Sequence, residues 1–145
     1  MDKAQEALQL HINGFNCSQS VLAVFAKELG ISKKTALRVS TGFGGGMRMG
    51  EVCGALTGAL MALGLHNGHD VEGDLEEKQR ANDMTLAFVG KFKMLNGAVR
   101  CVDILEGLNA SIPEEKELIE ERGLRQIHCT KAIEIAVSLV QEHLE

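Results

Sequence analysis

The chain has 145 residues, the size of one domain that can bury most of the apolar surface its unfolded form exposes. Hydrophobic residues make up 45% and charged residues 24%, which excludes a disordered or fibrous chain and fits a soluble globular one. With 3% aromatic content, no Trp or Tyr, a net charge of -5 and 15 scattered Lys and Arg, it offers neither the stacking rings nor the basic face that nucleic acid requires.

The N-terminal stretch Met1-Asp2-Lys3-Ala4-Gln5 and onward has no apolar leader segment, so the chain is expected to be cytoplasmic. Helical periodicity starts at once. A first helix is expected over about Lys3 to Ile12, stopped by Asn13-Gly14. Asn16 with Gln19 three positions on reads as a capping box opening a helix to Leu29, closed by Gly30. Cys17 falls in its first turn and shares a stripe with Val21, Val24 and Phe25. Ser32 caps a short third helix to about Ser40.

A glycine loop follows, Gly42-Phe43-Gly44-Gly45-Gly46-Met47-Arg48-Met49-Gly50, whose glycines permit positive φ and close backbone approach. Its alternative is a simple surface connection. It lacks the G-x-G-x-x-G spacing and the Gly-Lys-Ser or Gly-Lys-Thr ending of a nucleotide loop. Met47 and Met49 are expected to close the core. The loop delivers the chain into an apolar helix near Glu51. That apolar run, Val52 to Leu65, is 14 residues, too short to span a bilayer. Gly54, Ala55, Gly58, Ala59 and Ala62 give the helix a small-residue face for another backbone, within the chain or across a homodimer. Cys53 lies at its start, where free N-H groups favour a thiolate.

An acidic connection, Asp70 to Asp74, leads into a long helix over Leu75 to Leu95, with Met84, Phe88, Phe92 and Leu95 on one stripe. Cys101, Ile104, Leu105 and Leu108 form a shorter stripe. Pro113 begins a charged helix to Arg122. Beyond Gly123, a last helix carries Cys129, Ala132, Ile133, Ala136 and Val140 on one side. The fold expected is all-α, a single-domain bundle of about six to eight helices over residues 1–145.

The four cysteines are 36, 48 and 28 positions apart, too far for a zinc knuckle or a C-x-x-C pair. Only tertiary convergence can make them a site. A single buried Cys packs as a small hydrophobe, but four in a chain expected in a reducing compartment point to ligands or working thiols. Converged thiolates suit an iron-sulfur cluster or zinc. Gly44, Gly45, Gly46 and Gly54 are the backbone candidates for hydrogen bonds to such a group. Without a metal, Cys53 would be the attacking thiolate and another cysteine, such as Cys17, would resolve it. A third reading is a non-catalytic interaction module with core cysteines. His128, beside Cys129, reads as a surface residue or substitute ligand; His66 and His69 have zinc spacing only if their helix continues past Gly68. Arg48 can stabilise thiolate charge.

The stretch Gly50-Glu51-Val52-Cys53-Gly54-Ala55-Leu56-Thr57-Gly58-Ala59, with Asn16-Cys17-Ser18-Gln19 before it and lone Cys101 and Cys129 after, resembles the C_GCAxxG_C_C family of redox-active proteins. The resemblance covers nearly the whole chain. It implies a small helical bacterial or archaeal protein whose four functional cysteines fall on Cys17, Cys53, Cys101 and Cys129. A related module is associated with cysteine-ligated iron-sulfur binding in split-Soret cytochromes. No C-x-x-C-H haem motif is present, so the haem part of that likeness does not carry over. Function on this basis is electron transfer or redox sensing with a partner protein, rather than enzymatic turnover.

Overall fold

The computed structural model describes residues 1–145 as an all-α assembly of eight helices with no strand. These are α1 (Lys3–Ile12), α2 (Cys17–Ala23), α3 (Lys33–Val39), α4 (Gly54–Asn67), α5 (Leu75–Asn96), α6 (Cys101–Ile104), α7 (Pro113–Glu121) and α8 (Thr130–Leu144). No helix is long and apolar enough to cross a membrane.

Caps fix the starts. Asp2 and Gln5 form a capping box on α1, as Asn16 and Gln19 do on α2, each satisfying two otherwise free N-H groups. The second helix is shorter than its periodicity suggests. Helix α2 gives way after Ala23 to tightened turns, with Phe25 N-H donating to Leu22 O and Ala26 N-H to Ala23 O. Lys3 Nζ donates to Val24 O at 2.9 Å and pairs with Glu28 at 3.0 Å, which takes that carbonyl out of the helical ladder. Phe25 stays buried regardless.

The main core joins α2, α4, α5 and α8, with Leu22, Phe25, Leu56, Leu63, Phe92, Ile133 and Val140 all but inaccessible. A second, small cluster of Leu105, Ala110, Ile119 and Leu124 lies apart from it. Cys53 belongs to the first cluster and Cys17 packs against it, whereas Cys101 and Cys129 pack against the second. The sulfurs therefore occupy the seam. Leu95 departs from its expected stripe and is 55% exposed; Met49, at 59%, does not close the core.

The small-residue face of α4 is used within the chain. A Cβ on Gly58 would come 2.5 Å from Ser18 O, and one on Gly54 would come 3.0 Å from Ser18 N and 3.2 Å from Cys17 Cβ. Backbone meets backbone there. Gly58→Ala gains about 1 kcal/mol of helix propensity but forces α2 and α4 apart at roughly 1–3 kcal/mol. Since the obstacle is a carbonyl rather than a movable side chain, urea unfolding should show net destabilisation. Gly90→Ala, where a Cβ meets nothing within 4 Å, should instead stabilise by up to about 1 kcal/mol; equal responses at the two positions would contradict the packing described.

Candidate metal centre

Each cysteine is delivered by a helix start. Cys17 opens α2 beneath the Asn16 cap, Cys53 is the N-cap of α4 with φ -53 and ψ 131, Cys101 opens α6, and Cys129 ends the wide turn Arg125–Cys129 that runs into α8. Cys53 and Cys101 are tied to one another by backbone. Cys53 N-H donates to Val99 O at 2.8 Å and Cys101 N-H donates to Glu51 O, an antiparallel contact centred on Val52 and Arg100. The Arg100 guanidinium grips both Glu51 carboxylate oxygens at 3.1 and 3.2 Å.

The strain of the glycine loop is local and specific. Met47 and Arg48 both adopt left-handed backbone, φ 60 and 59, a conformation costing roughly 1–2 kcal/mol per L-residue. Gly45 and Gly46 share it. A Cβ on Gly46 would collide with the Glu51 backbone, and one on Gly44 with the Asn16 side chain, so these two glycines serve close packing. Gly45 lines the cleft beside Arg48, and Gly54 lies against Cys17.

The ligating atoms of His11, Cys17 and Cys129 lie within 4.8 Å of one another. Cys17 and Cys129 share a hydrogen bond, and Cys53 and Cys101 are near enough to raise the pKa of Cys17 by charge repulsion. A cleft of about 590 Å³ opens over this group, lined by Cys17, Cys101, Cys129, His11, Arg48 and Arg125 among others. No Asp or Glu lines it, in a chain with 20 of them. Cys53 sits outside the cleft wall, 6% exposed.

Electrostatics separate the thiols. Cys129 is held down to about 5, chiefly by the hydrogen bond from Cys17, then against its own desolvation by the His11 hydrogen bond and by His11 and Arg125 charge. Cys17 is raised, because it donates that bond and is buried. One proton is thus shared and stays on Cys17. Burial pushes Cys53 up to about 12 despite N-H groups of Ala55 and Leu56 directed at its sulfur, so desolvation outweighs the helix-terminal field. Cys101 rises to about 11, again by burial, opposed by Arg125 and Arg48.

Other residues read from the sequence fall elsewhere. His128 Nε2 pairs with Glu106 at 2.8 Å, half-exposed, and takes no part in the cysteine group. His66 stacks edge-on against His143 with ring centroids 5.9 Å apart, and α4 ends at Asn67, before His69. Arg48 reaches Ala110 O at 3.4 Å from the cleft wall.

Two site residues carry no strong sequence signal. Arg125 is one turn before Cys129, an i, i+4 relation that places both on one helical face. Its Nε is buried and has no hydrogen-bond partner. His11 lies in the last turn of α1, and only the chain reversal at Gly14, φ 107, and packing of α1 against α8 bring it to Cys129.

A sequence model of the family described as "Putative redox-active protein (C_GCAxxG_C_C)" matches residues 15–143. The chain belongs to this family. It is also 25% identical to an uncharacterized protein of Archaeoglobus fulgidus, over 98% of each chain. No solved structure matches it.

The separated thiol affinities are open to ultraviolet titration of reduced, metal-free protein. One thiolate should absorb at pH 7 and vanish on acidification through about 5, with Cys101 and Cys53 ionising only near 11 and 12. Arg125→Met should move the first transition upward. Because Cys129 lies below its unfolded value of 9.0, its stabilising contribution is complete above pH 9 and lost as pH falls through about 5. Cys53 and Cys101 work in the opposite sense, contributing below pH 9 and losing that contribution as pH rises through 11 and 12. Four thiols titrating together near 9 would refute the arrangement.

Proposed function

We propose, taking membership of the C_GCAxxG_C_C family as the premise, that this chain is an electron-transfer or redox-sensing protein whose cysteine cluster holds an iron-sulfur group, with zinc as the alternative occupant. The observation that carries the reading is convergence: His11, Cys17 and Cys129 within 4.8 Å, with Cys53 and Cys101 in electrostatic reach. Helices distant in sequence contribute to one spot. A structural role for the cysteines as core filler would not require this.

The donor set fits such a group. Thiolates are soft ligands suited to iron-sulfur clusters and zinc, and the cleft presents no carboxylate to favour hard cations. The ligands in this reading are Cys17, Cys53, Cys101 and Cys129, and a bound cluster would supply one-electron exchange. The surrounding residues have definable tasks. Arg48 and Arg125 offset the negative charge of several thiolates, which raises a reduction potential. The N-H groups of Ala55 and Leu56 donate to Cys53 sulfur and act in the same direction, while Gly45 and Gly54 let backbone lie close to the site. Apolar residues on both sides of the seam limit water. The partner is a redox protein, and the location a cytoplasm that keeps thiols reduced.

The opposed shifts of Cys17 and Cys129 favour one further reading, a metal-free dithiol. Cys129, rather than the more basic and buried Cys53, would attack a substrate disulfide, releasing one thiolate and forming a mixed disulfide. Cys17 would then pass its proton to the first released thiolate and displace the second, leaving a Cys17–Cys129 disulfide and a substrate reduced by two electrons.

Elemental and acid-labile sulfide analysis of protein purified without oxygen separates the two. The cluster reading requires brown protein with iron and sulfide in matching amounts, both lost in Cys17→Ser and Cys129→Ser. Colourless, metal-free protein that consumes one equivalent of a disulfide oxidant, two electrons, to join Cys17 to Cys129 would replace it with the dithiol reading.

A further inference from the structure

The four cysteines are not the whole donor set. We propose that His11 is itself a ligand of the metal centre, through Nε2, so that the centre is of mixed nitrogen and sulfur coordination. The inference rests on the metal reading above and concerns which residues of this chain hold the group.

The first argument is proximity. The ligating nitrogen of His11 falls inside the same 4.8 Å set as the sulfurs of Cys17 and Cys129, a set that includes neither Cys53 nor Cys101. The tightest cluster of donors in the molecule is therefore two sulfurs and one imidazole.

The second is tautomer. His11 Nδ1 lies 3.0 Å from Phe15 O, and a carbonyl oxygen can only accept, so Nδ1 carries the hydrogen. With Nδ1 held by that carbonyl, Nε2 is the ring nitrogen left to bind a metal. An imidazole fixed by a carbonyl through one nitrogen and turned toward a metal with the other is the usual outer-partner arrangement of ligating histidines.

The third is how the chain builds this. Phe15 N-H folds back to Leu10 O at 3.1 Å, and Gly14, φ 107, makes that reversal; both place Phe15 O above the last turn of α1. His11 is half-buried at the cleft wall rather than solvated like its neighbour Ile12, which is 76% exposed. It lies just ahead of residues 15–143, the stretch the family model matches.

The consequence is a surplus of donors, five for a four-ligand group. With imidazole in one position, one of the outlying thiols, Cys53 or Cys101, is spare. Replacement of thiolate by imidazole raises an iron-sulfur potential.

X-ray absorption at the edge of the metal retained by anaerobically purified wild-type protein tests this without any substitution. Imidazole outer-shell scattering is expected beside sulfur. In His11→Ala that scattering should disappear and metal retention should fall on the order of tenfold or more, with helicity and unfolding midpoint checked. His11→Cys should retain metal with an all-sulfur shell. A sulfur-only shell in the wild type, or imidazole scattering that survives His11→Ala, overturns the assignment while leaving the metal reading intact. Wild-type protein with no metal overturns both.

Discussion

The site depends on the direct approach of two helix backbones. Helix α4 lies on α2 at Gly54 and Gly58, where a single methyl would meet Ser18 main-chain atoms at 3.0 and 2.5 Å. Any larger residue would hold Cys17 away from Cys53. Glycine inside a helix costs about 1 kcal/mol relative to alanine, and here it is offset by the close approach that buries Ala55, Leu56, Ala59 and Leu63 of α4.

A second constraint brings the C-terminal half of the chain to the same place. The antiparallel contact of residues 51–53 with 99–101, locked by Arg100 on Glu51, sets Cys101 beside the start of α4. Helix α8 packs on α1, α2 and α4, and carries Cys129 in at its start. Low dielectric at the seam of two apolar clusters then makes charge expensive. Of four thiols only Cys129 is held below its ordinary value, first by the hydrogen bond from Cys17 and then by His11 and Arg125 next to it. Charge and geometry thus select the same pair of elements.

Most of the helices are visible in the sequence because their signals are local. The capping box at Asn16, the stop at Asn13-Gly14, Pro113 at a helix start and the long stripe of α5 each work through neighbours within four positions. What fails locally is what tertiary contacts decide. Helix α2 ends at Ala23, where Phe25 and Ala26 turn to three-residue bonds, and Lys3, 21 positions before Val24, takes up the Val24 carbonyl. The site follows the same rule: the four cysteines can be named from their order and from Cys53-Gly54-Ala55-Leu56-Thr57-Gly58, but His11 meets Cys129 across 118 positions and leaves no periodic trace. Cys53 looks like the activated thiol because its helix-terminal position is readable, whereas the burial that overrides it is not.

Convergence of sulfur is the central claim, and a short bifunctional thiol reagent reads it directly. Reduced, metal-free protein treated with such a reagent and digested should give a bridged peptide pair carrying Cys17 and Cys129. Exclusively single modifications at all four cysteines, with no bridged pair, would contradict the account.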